Sequence, residues 1–195
     1  MPEIRFSGYG GQGVIRSGLI VGKACSLYDD KHATLNQAFG PEARGSACSA
    51  QVVVSNDRVL YPYITIPDIL VSMSQEAYDK FEPELKKEGL LLIDEDLVKP
   101  KPIRDKIRMF AIPATRMAED MGNRIFANLV MLGFFTAMSD VVSVEAMRKA
   151  IPGSVPDRFL EKNMDAFNIG YDFGMALKGA KKEPSPEKKA KAKAK

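Results

Sequence analysis

The chain has 195 residues, 45% of them hydrophobic and 27% charged, enough for one domain with a real core and too few for two comfortable ones. Its net charge of +3 is unevenly placed: eight Lys against two Glu from Lys178 to Lys195 give that tail +6 and leave the body at −3, so a folded basic surface for nucleic acid is not expected. Two cysteines and one histidine exclude structural zinc or a cysteine-ligated iron–sulfur cluster held by this chain alone, since each takes about four ligands.

In chain order, EIRFSGY (3–9) alternates and runs into glycines, a first strand without the apolar stretch of a signal peptide. Val14 to about Leu27 follows with apolar residues near helical spacing. SLYDDKHATLNQ then reads as a polar helix end and loop. AQVVVS (50–55) and VLYPYI (59–64) flank Asn56-Asp57 and predict a β-hairpin. DILVSMS (68–74) is a continuous apolar run, a strand covered on both faces. Ser74 caps a helix predicted over Gln75–Lys87, with Gly89 as its stop, and Glu82, Glu84, Lys86 and Lys87 form its solvated face. LLLID (90–94) and MFAIPA (109–114) are further strands.

From Thr115 the pattern turns helical: a segment to Gly122, a longer one through Met138, one begun at Ser143, and one from about Pro156 to Leu177. IFANLVMLGFFTAM (125–138) falls short of the roughly 18 apolar residues of a membrane span and is read as a buried core helix. Alternating strands and helices predict an α/β fold over residues 1–177. It is a three-layer α/β/α domain of Rossmann-like type, around a mostly parallel mixed sheet. Residues 178–195 hold no apolar side chain larger than Ala and are read as a basic disordered tail. Without an export signal, Cys25 and Cys48 are read as reduced cytoplasmic thiols, Cys25 as a small core residue on the first helix.

Residues 8–13, GYGGQG, spell G-x-G-x-x-G at a strand-to-helix turn. Glycines there leave the backbone bare, and the free N–H groups and dipole of the helix they open favour an anion. A dinucleotide such as NAD needs, in addition, an acidic residue about 20 positions on at the end of a second strand. Asp29 and Asp30 stand near that distance but on no convincing strand. A packing role alone, letting the first helix approach the sheet, is the alternative use of the glycines. FGPEARGSACS (39–49) is the second unusual stretch, with a Gly-Pro bend and Arg44 able to fork onto a carboxylate or phosphate. His32 has no Ser, Cys or carboxylate spaced for a triad and is read as a solvated loop residue.

Four stretches in order resemble one known family. GYGGQGV, FGPEARG with the strand ending at Ser55, PATRMAEDMGNRIFANLVMLG (113–133) and NMDAFNIGYDFG (163–174) are similar to the motifs of the gamma subunit of 2-oxoacid:ferredoxin (acceptor) oxidoreductases. The likeness runs from Ile4 to Gly174, with one departure, Ser46 standing where the family has a second glycine after the Arg. The resemblance implies a subunit not catalytic alone, in a cytoplasmic complex that converts a 2-oxoacid and coenzyme A to acyl-CoA and CO₂ and passes electrons to ferredoxin. Thiamine diphosphate, magnesium and iron–sulfur clusters would belong to the alpha, beta and ferredoxin-like delta partners. The gamma domain would serve the coenzyme A side, with Gly8, Gly10, Gly11, Gln12 and Gly13 as coenzyme contacts and Pro41, Glu42 and Arg44 at the interface with the catalytic subunit. FGPEARG leading into AQVVVS and a YPY segment is closest in look to the 2-oxoglutarate type. The competing reading is a free-standing NAD-binding Rossmann-type oxidoreductase, against which stands the lack of a Tyr-x-x-x-Lys or similar acid–base pair.

Overall fold

Six strands form one sheet in the order β2-β3-β1-β4-β5-β6. The structure is a computed structural model that describes residues 1–39, 47–59, 61–102 and 106–182. Strands β1 (Glu3–Tyr9), β4 (Ile69–Ser72), β5 (Leu90–Asp94) and β6 (Arg108–Ile112) run parallel. β3 (Ala47–Ser55) is antiparallel to both β1 and β2 (His32–Ala38), so the sheet is mixed, as the sequence predicts. β4 and β5 are buried at every residue, which is why they read as unbroken apolar runs.

The two faces are built differently. One receives Ile4, Phe6, Val71 and Leu92 from the strands and packs them against α1 (Val14–Tyr28), α3 (Ala114–Asp120), α4 (Ala127–Ser139) and α5 (Val144–Ala150). The other packs Leu70, Leu91 and Ile93 against Ala77, Tyr78 and Phe81 of the short α2 (Gln75–Phe81). α6 (Leu160–Lys182) lies along α4. Residues 127–138 of α4 are all buried, as expected of the 14-residue apolar stretch. The contact between these helices requires glycine. A Cβ on Gly133 would fall 1.9 Å from the Phe167 carbonyl oxygen, and one on Gly170 would fall 1.9 Å from that of Val130.

Four expectations are corrected. The polar stretch after α1 is not a loop, and His32 opens a strand: β2 pairs with β3 along its whole length. Its Ala33 and Leu35 pack towards α1, while Thr34 and Asn36 alternate with them, and an edge strand with one polar face carries little hydrophobic signal. Among the described residues no strand follows β3 to form the hairpin expected from 50–55 and 59–64, because β3 already has partners on both sides. Ile64 instead caps the polar sheet face, its N–H donating to Gln51 Oε1 (3.3 Å) and its carbonyl accepting from Arg5 Nη2 (3.1 Å), while Tyr61 and Tyr63 stay exposed.

The second helix stops at Phe81, since Pro83 turns the chain into a 3₁₀ turn over Glu82–Glu84. Glu84 is exposed, as expected, but sits on this turn and not on the helix. It pairs with Arg5, which is buried in β1 and stacked 4.7 Å over the Phe81 ring. Lys86 likewise pairs with Asp68 at 2.6 Å. Part of the predicted basic tail, to Lys182, continues α6; the remainder lies outside the described residues.

Gly133→Ala and Gly170→Ala should each cost at least the ~1–3 kcal/mol of ordinary overpacking, because main chain cannot rotate aside. Gly179→Ala, on the same helix with nothing within 4 Å, should leave the melting temperature unchanged or raise it. Thermal denaturation of the three variants measures both signs.

Candidate functional site

The chain leaves β1 for α1 on one face and β4 for α2 on the other, so β1 and β4 flank the point where connections change side. Crevices form outside the carboxyl ends of parallel strands at such points. The glycine turn sits there as a ridge between two compartments. The larger, about 760 Å³, is bordered by Tyr9, Gly10, Gly11 and Gln12, by Met73–Gln75 after β4, by Leu97 and Thr115, and by Asn123–Ile125 and Ala127. The smaller, about 430 Å³, is bordered by Gly10, Gly11, Gly13–Arg16, Phe39, Cys48, Ile125 and Asn128.

Gly11 and Gly13 hold φ values of 99° and 76°, a conformation that costs any other residue. Gly13 is the N-cap of α1 and offers no side-chain acceptor, and Ser17 N–H is the first to bond back, to the Gly13 carbonyl at 2.9 Å. The N–H groups of Val14, Ile15 and Arg16 are left by the helix itself without partners. Gln12 braces the ridge: its Oε1 accepts from Tyr9 N–H at 2.6 Å and its Nε2 donates to the Met73 carbonyl at 2.8 Å. Gly8 is buried behind it and borders neither compartment. Of the five residues singled out here from the sequence, Gly10, Gly11 and Gly13 thus face the cleft with bare backbone, and Gln12 does so while holding the turn. Pro41, Glu42 and Arg44 lie outside the described residues.

None of the described residues bordering either compartment is acidic, although the body of the chain is net negative. Each compartment has one arginine, Arg124 in the larger and Arg16 in the smaller. Both are exposed and, among the described residues, without an ion pair or hydrogen bond. Phe39 and Ile125 add exposed apolar surface at the rim. Neither arginine, nor Asn128 at the start of α4, stood out from spacing alone. Arg124 and Asn128 fall in GNRIFANLVMLG, and Arg16 in the first turn after the glycines, where a basic residue can serve the anion that the turn invites.

The acids are employed elsewhere. Asp29 and Asp30 sit at the far end of α1, about 22 Å along a 15-residue helix from the glycines, beside His32, which pairs with Ser55 near the start of β1. β2 ends in Asn36-Gln37-Ala38, so among the described residues no carboxylate stands at the place a dinucleotide ribose would require. Asp29 instead fixes α5, accepting from Ser143 N–H at 3.0 Å, Ser143 Oγ at 2.6 Å and Lys31 Nζ at 3.1 Å. Burial alone would raise its pKa, but the bonds from Ser143 and Lys31 outweigh this and hold it below the usual 3.8. Asp94, fully buried at the end of β5, accepts from Thr115 N–H (3.1 Å) and Oγ1 (2.6 Å) at the start of α3; burial keeps its pKa raised despite them. Cys25 is buried and its thiol pushed up to about 11 by burial; Cys48, at the smaller compartment, is raised for the same reason, so neither is a ready thiolate.

The profile of the pyruvate ferredoxin/flavodoxin oxidoreductase family matches residues 3–173. The chain belongs to this family. Among its relatives is the 2-oxoglutarate synthase subunit KorC of Methanocaldococcus jannaschii, 47% identical over 177 residues that cover 90% of this chain and 95% of the relative. The subunit of the same name from Methanothermobacter thermautotrophicus is 46% identical over 179 residues, covering 89% and 95%. Among solved structures, the gamma subunit of a keto/oxoacid ferredoxin oxidoreductase from Geobacter sulfurreducens matches with a TM-score of 0.80 at 41% identity, over 90% of this chain and 99% of that one. A 2-oxoglutarate:ferredoxin oxidoreductase from Magnetococcus marinus, solved with 2-oxoglutarate, coenzyme A and succinyl-CoA bound, shares the fold. Its TM-score is 0.81 at 23% identity, over 90% of this chain and 31% of that one. The chain is thus a gamma-type subunit of a multi-subunit oxidoreductase, and the free-standing NAD reading is set aside on the placement of Asp29 and Asp30 as well.

Asp29→Asn should lower the melting temperature near pH 7 by several degrees, since it weakens bonds to a charged acceptor worth about 1.5–3 kcal/mol. Because the folded-state pKa is depressed, this contribution is complete above the unfolded value and lost as pH falls through the folded one. Melting curves of wild type and variant should therefore converge well below pH 4, and a constant gap down to pH 2 would contradict the assignment.

Proposed function

We propose that this chain is the gamma subunit of a 2-oxoglutarate:ferredoxin oxidoreductase and that its glycine-turn cleft supports coenzyme A beside a partner subunit's active site. The observation that carries the reading is a bare-backbone turn at the uncapped start of α1, in a cleft bordered by Arg16 and Arg124 and by no acid among the described residues. Coenzyme A carries several phosphate charges and an aromatic base, and the two compartments offer cations and exposed Phe39 and Ile125. The substrate type follows the names of the relatives at 46–47% identity.

On this reading the chain holds and orients one substrate, while thiamine diphosphate in a partner supplies decarboxylation and iron–sulfur clusters carry the electrons to ferredoxin. Alpha, beta and ferredoxin-like delta chains are the partners. Gly10, Gly11 and Gly13 present main-chain N–H groups to the coenzyme, Gly8 and Gln12 keep the turn in shape, and Pro41, Glu42 and Arg44 belong to the contact with the catalytic subunit.

The complex co-purified with this chain should reduce a dye only when both 2-oxoglutarate and coenzyme A are present. Gly11→Val places a branched side chain into open cleft space, with nothing of the protein within 4 Å to clash. It should raise the KM for coenzyme A at least tenfold and leave that for 2-oxoglutarate unchanged. Gly153→Val puts a side chain at a comparably positive φ of 73° in the α5–α6 connection and should leave both KM values alone. An unchanged coenzyme A KM in Gly11→Val overturns the site.

A further inference from the structure

β2 is the outer strand of the sheet, joined to β3 on one side and, among the described residues, to no strand on the other. Val54 N–H donates to the Pro2 carbonyl at 3.1 Å, so the even-numbered residues of β3 bond towards β1 and the odd-numbered ones towards β2. Ser49, Gln51 and Val53 stand opposite Ala38, Asn36 and Thr34, which are therefore bonded inwards. Ala33, Leu35 and Gln37 turn their main-chain groups to the open edge. Gln37 N–H accordingly donates to Asn36 Oδ1, at 2.9 Å.

Soluble proteins blunt such edges with lysine, proline, inward charges or bulges, because a bare edge pairs with another strand. His32–Ala38 has no Lys, Arg, Asp, Glu or Pro, and its register with β3 runs unbroken. The helix beside it is equally bare. A Cβ on Gly18 would meet Ala50, Leu35 and Val52, so α1 lies over β3 and β2, and Ser26 borders one compartment with Ala33 and Thr34. Leu19, Gly22 and Ser26 fall on that side of α1. Leu19 is 41% exposed, and a Cβ on Gly22 would meet nothing within 4 Å. Thr34 Oγ1, on the opposite face of the edge, is buried and, among the described residues, without a partner.

We propose that this edge is a homodimer seam, at which two copies of the chain join β2 to β2, antiparallel about a two-fold axis at Leu35, into one continuous sheet. That register sets outward residues against outward residues: Leu35 against Leu35, and Ala33 against Gln37 of the second copy. Each such pair exchanges both of its N–H···O bonds. Gln37 N–H then leaves Asn36 Oδ1, and Thr34 stands opposite Asn36 of the second copy, whose freed oxygen accepts from Thr34 Oγ1. A strand that complements itself in main chain and in side chains points to a second copy as the occupant. Charge agrees, since a two-fold axis repeats every charge. Asp30, Lys31 and Arg58 lie at the His32 end, and the axis carries them to the Ala38 end of the other copy, away from one another. Seven residues make a seam about 23 Å long, and about 25 Å of width from α1 to the opposite sheet face gives about 600 Å² per partner, the lower bound for a stable interface. Coenzyme binding at the glycine turn is not required for this pairing.

Sedimentation equilibrium of the full-length chain tests this, and it should show a dimer at micromolar concentrations. Gln37→Pro removes one outward N–H at a position where an edge strand tolerates proline, and Gly22→Glu sets a carboxylate on each side of the axis in open space. Each should weaken self-association at least tenfold while circular dichroism stays that of the wild type. Thr34→Cys and Asn36→Cys chains, mixed and mildly oxidised, should cross-link far faster than either chain alone, because a non-hydrogen-bonded pair lies within reach of a disulfide. Cys25 and Cys48 are buried and take no part. A chain that stays monomeric, with the amides of Ala33, Leu35 and Gln37 exchanging freely with solvent, overturns the proposal. So does a dimer that neither variant weakens. Hydrogen exchange in the assembled complex separates the other occupant: amides protected there but not in the isolated chain assign the edge to a strand of a partner subunit and overturn the second copy.

Discussion

The site depends on two helix backbones touching where neither has a side chain. Gly133 and Gly170 let α4 lie against α6 at a distance that any Cβ would forbid. Phe135 of α4 meets Phe6 of β1 edge-on, 5.2 Å between centroids, so the helix is fixed to the sheet at the same level. With α4 placed from both sides, its first turn sets Asn128 against Gly13. The glycine turn is then held by α4 on one flank and, through Gln12 and the Met73 carbonyl, by the end of β4 on the other. Flexibility written into the sequence by four glycines becomes a fixed turn in the fold.

Charge is sorted by the same packing. The body is net negative, yet its well-placed acids bind helix starts: Asp29 holds Ser143 at α5, and Asp94 holds Thr115 at α3. Each satisfies N–H groups that a helix start leaves free. α1 opens at Gly13 with no side-chain acceptor at its cap, at the cleft where no described acid stands. A helix start left open beside two arginines that are unpaired among the described residues favours an anion from outside the chain. That distribution, more than the glycine pattern, is what the proposed phosphate-binding role of the cleft rests on.

How much of this was legible in sequence follows from where the signal lives. β4, β5 and α4 are buried on all sides, so their apolar runs announce them directly. β2 was hidden because an edge strand with Thr34 and Asn36 on its polar face resembles a loop, and the false hairpin arose because Tyr61 and Tyr63 have strand propensity but no free strand to join. The pairing of exposed Glu84 with Arg5 was not legible because the two stand 79 positions apart. The glycines marked the turn correctly, but Arg16, Arg124 and Asn128 become a site only when α4 and α1 start at the same place. Spacing within one segment cannot show a meeting between two. Resemblance to the gamma subunits bridged that gap for the family and left the contacts to the structure.

A structure of the assembled complex with coenzyme A bound tests the central claim most directly. The coenzyme should lie across the ridge at Gly10–Gly13, with a phosphate within hydrogen-bond distance of the first N–H groups of α1. Coenzyme A held entirely by partner subunits, with this cleft empty or filled by a partner's side chains, would contradict it.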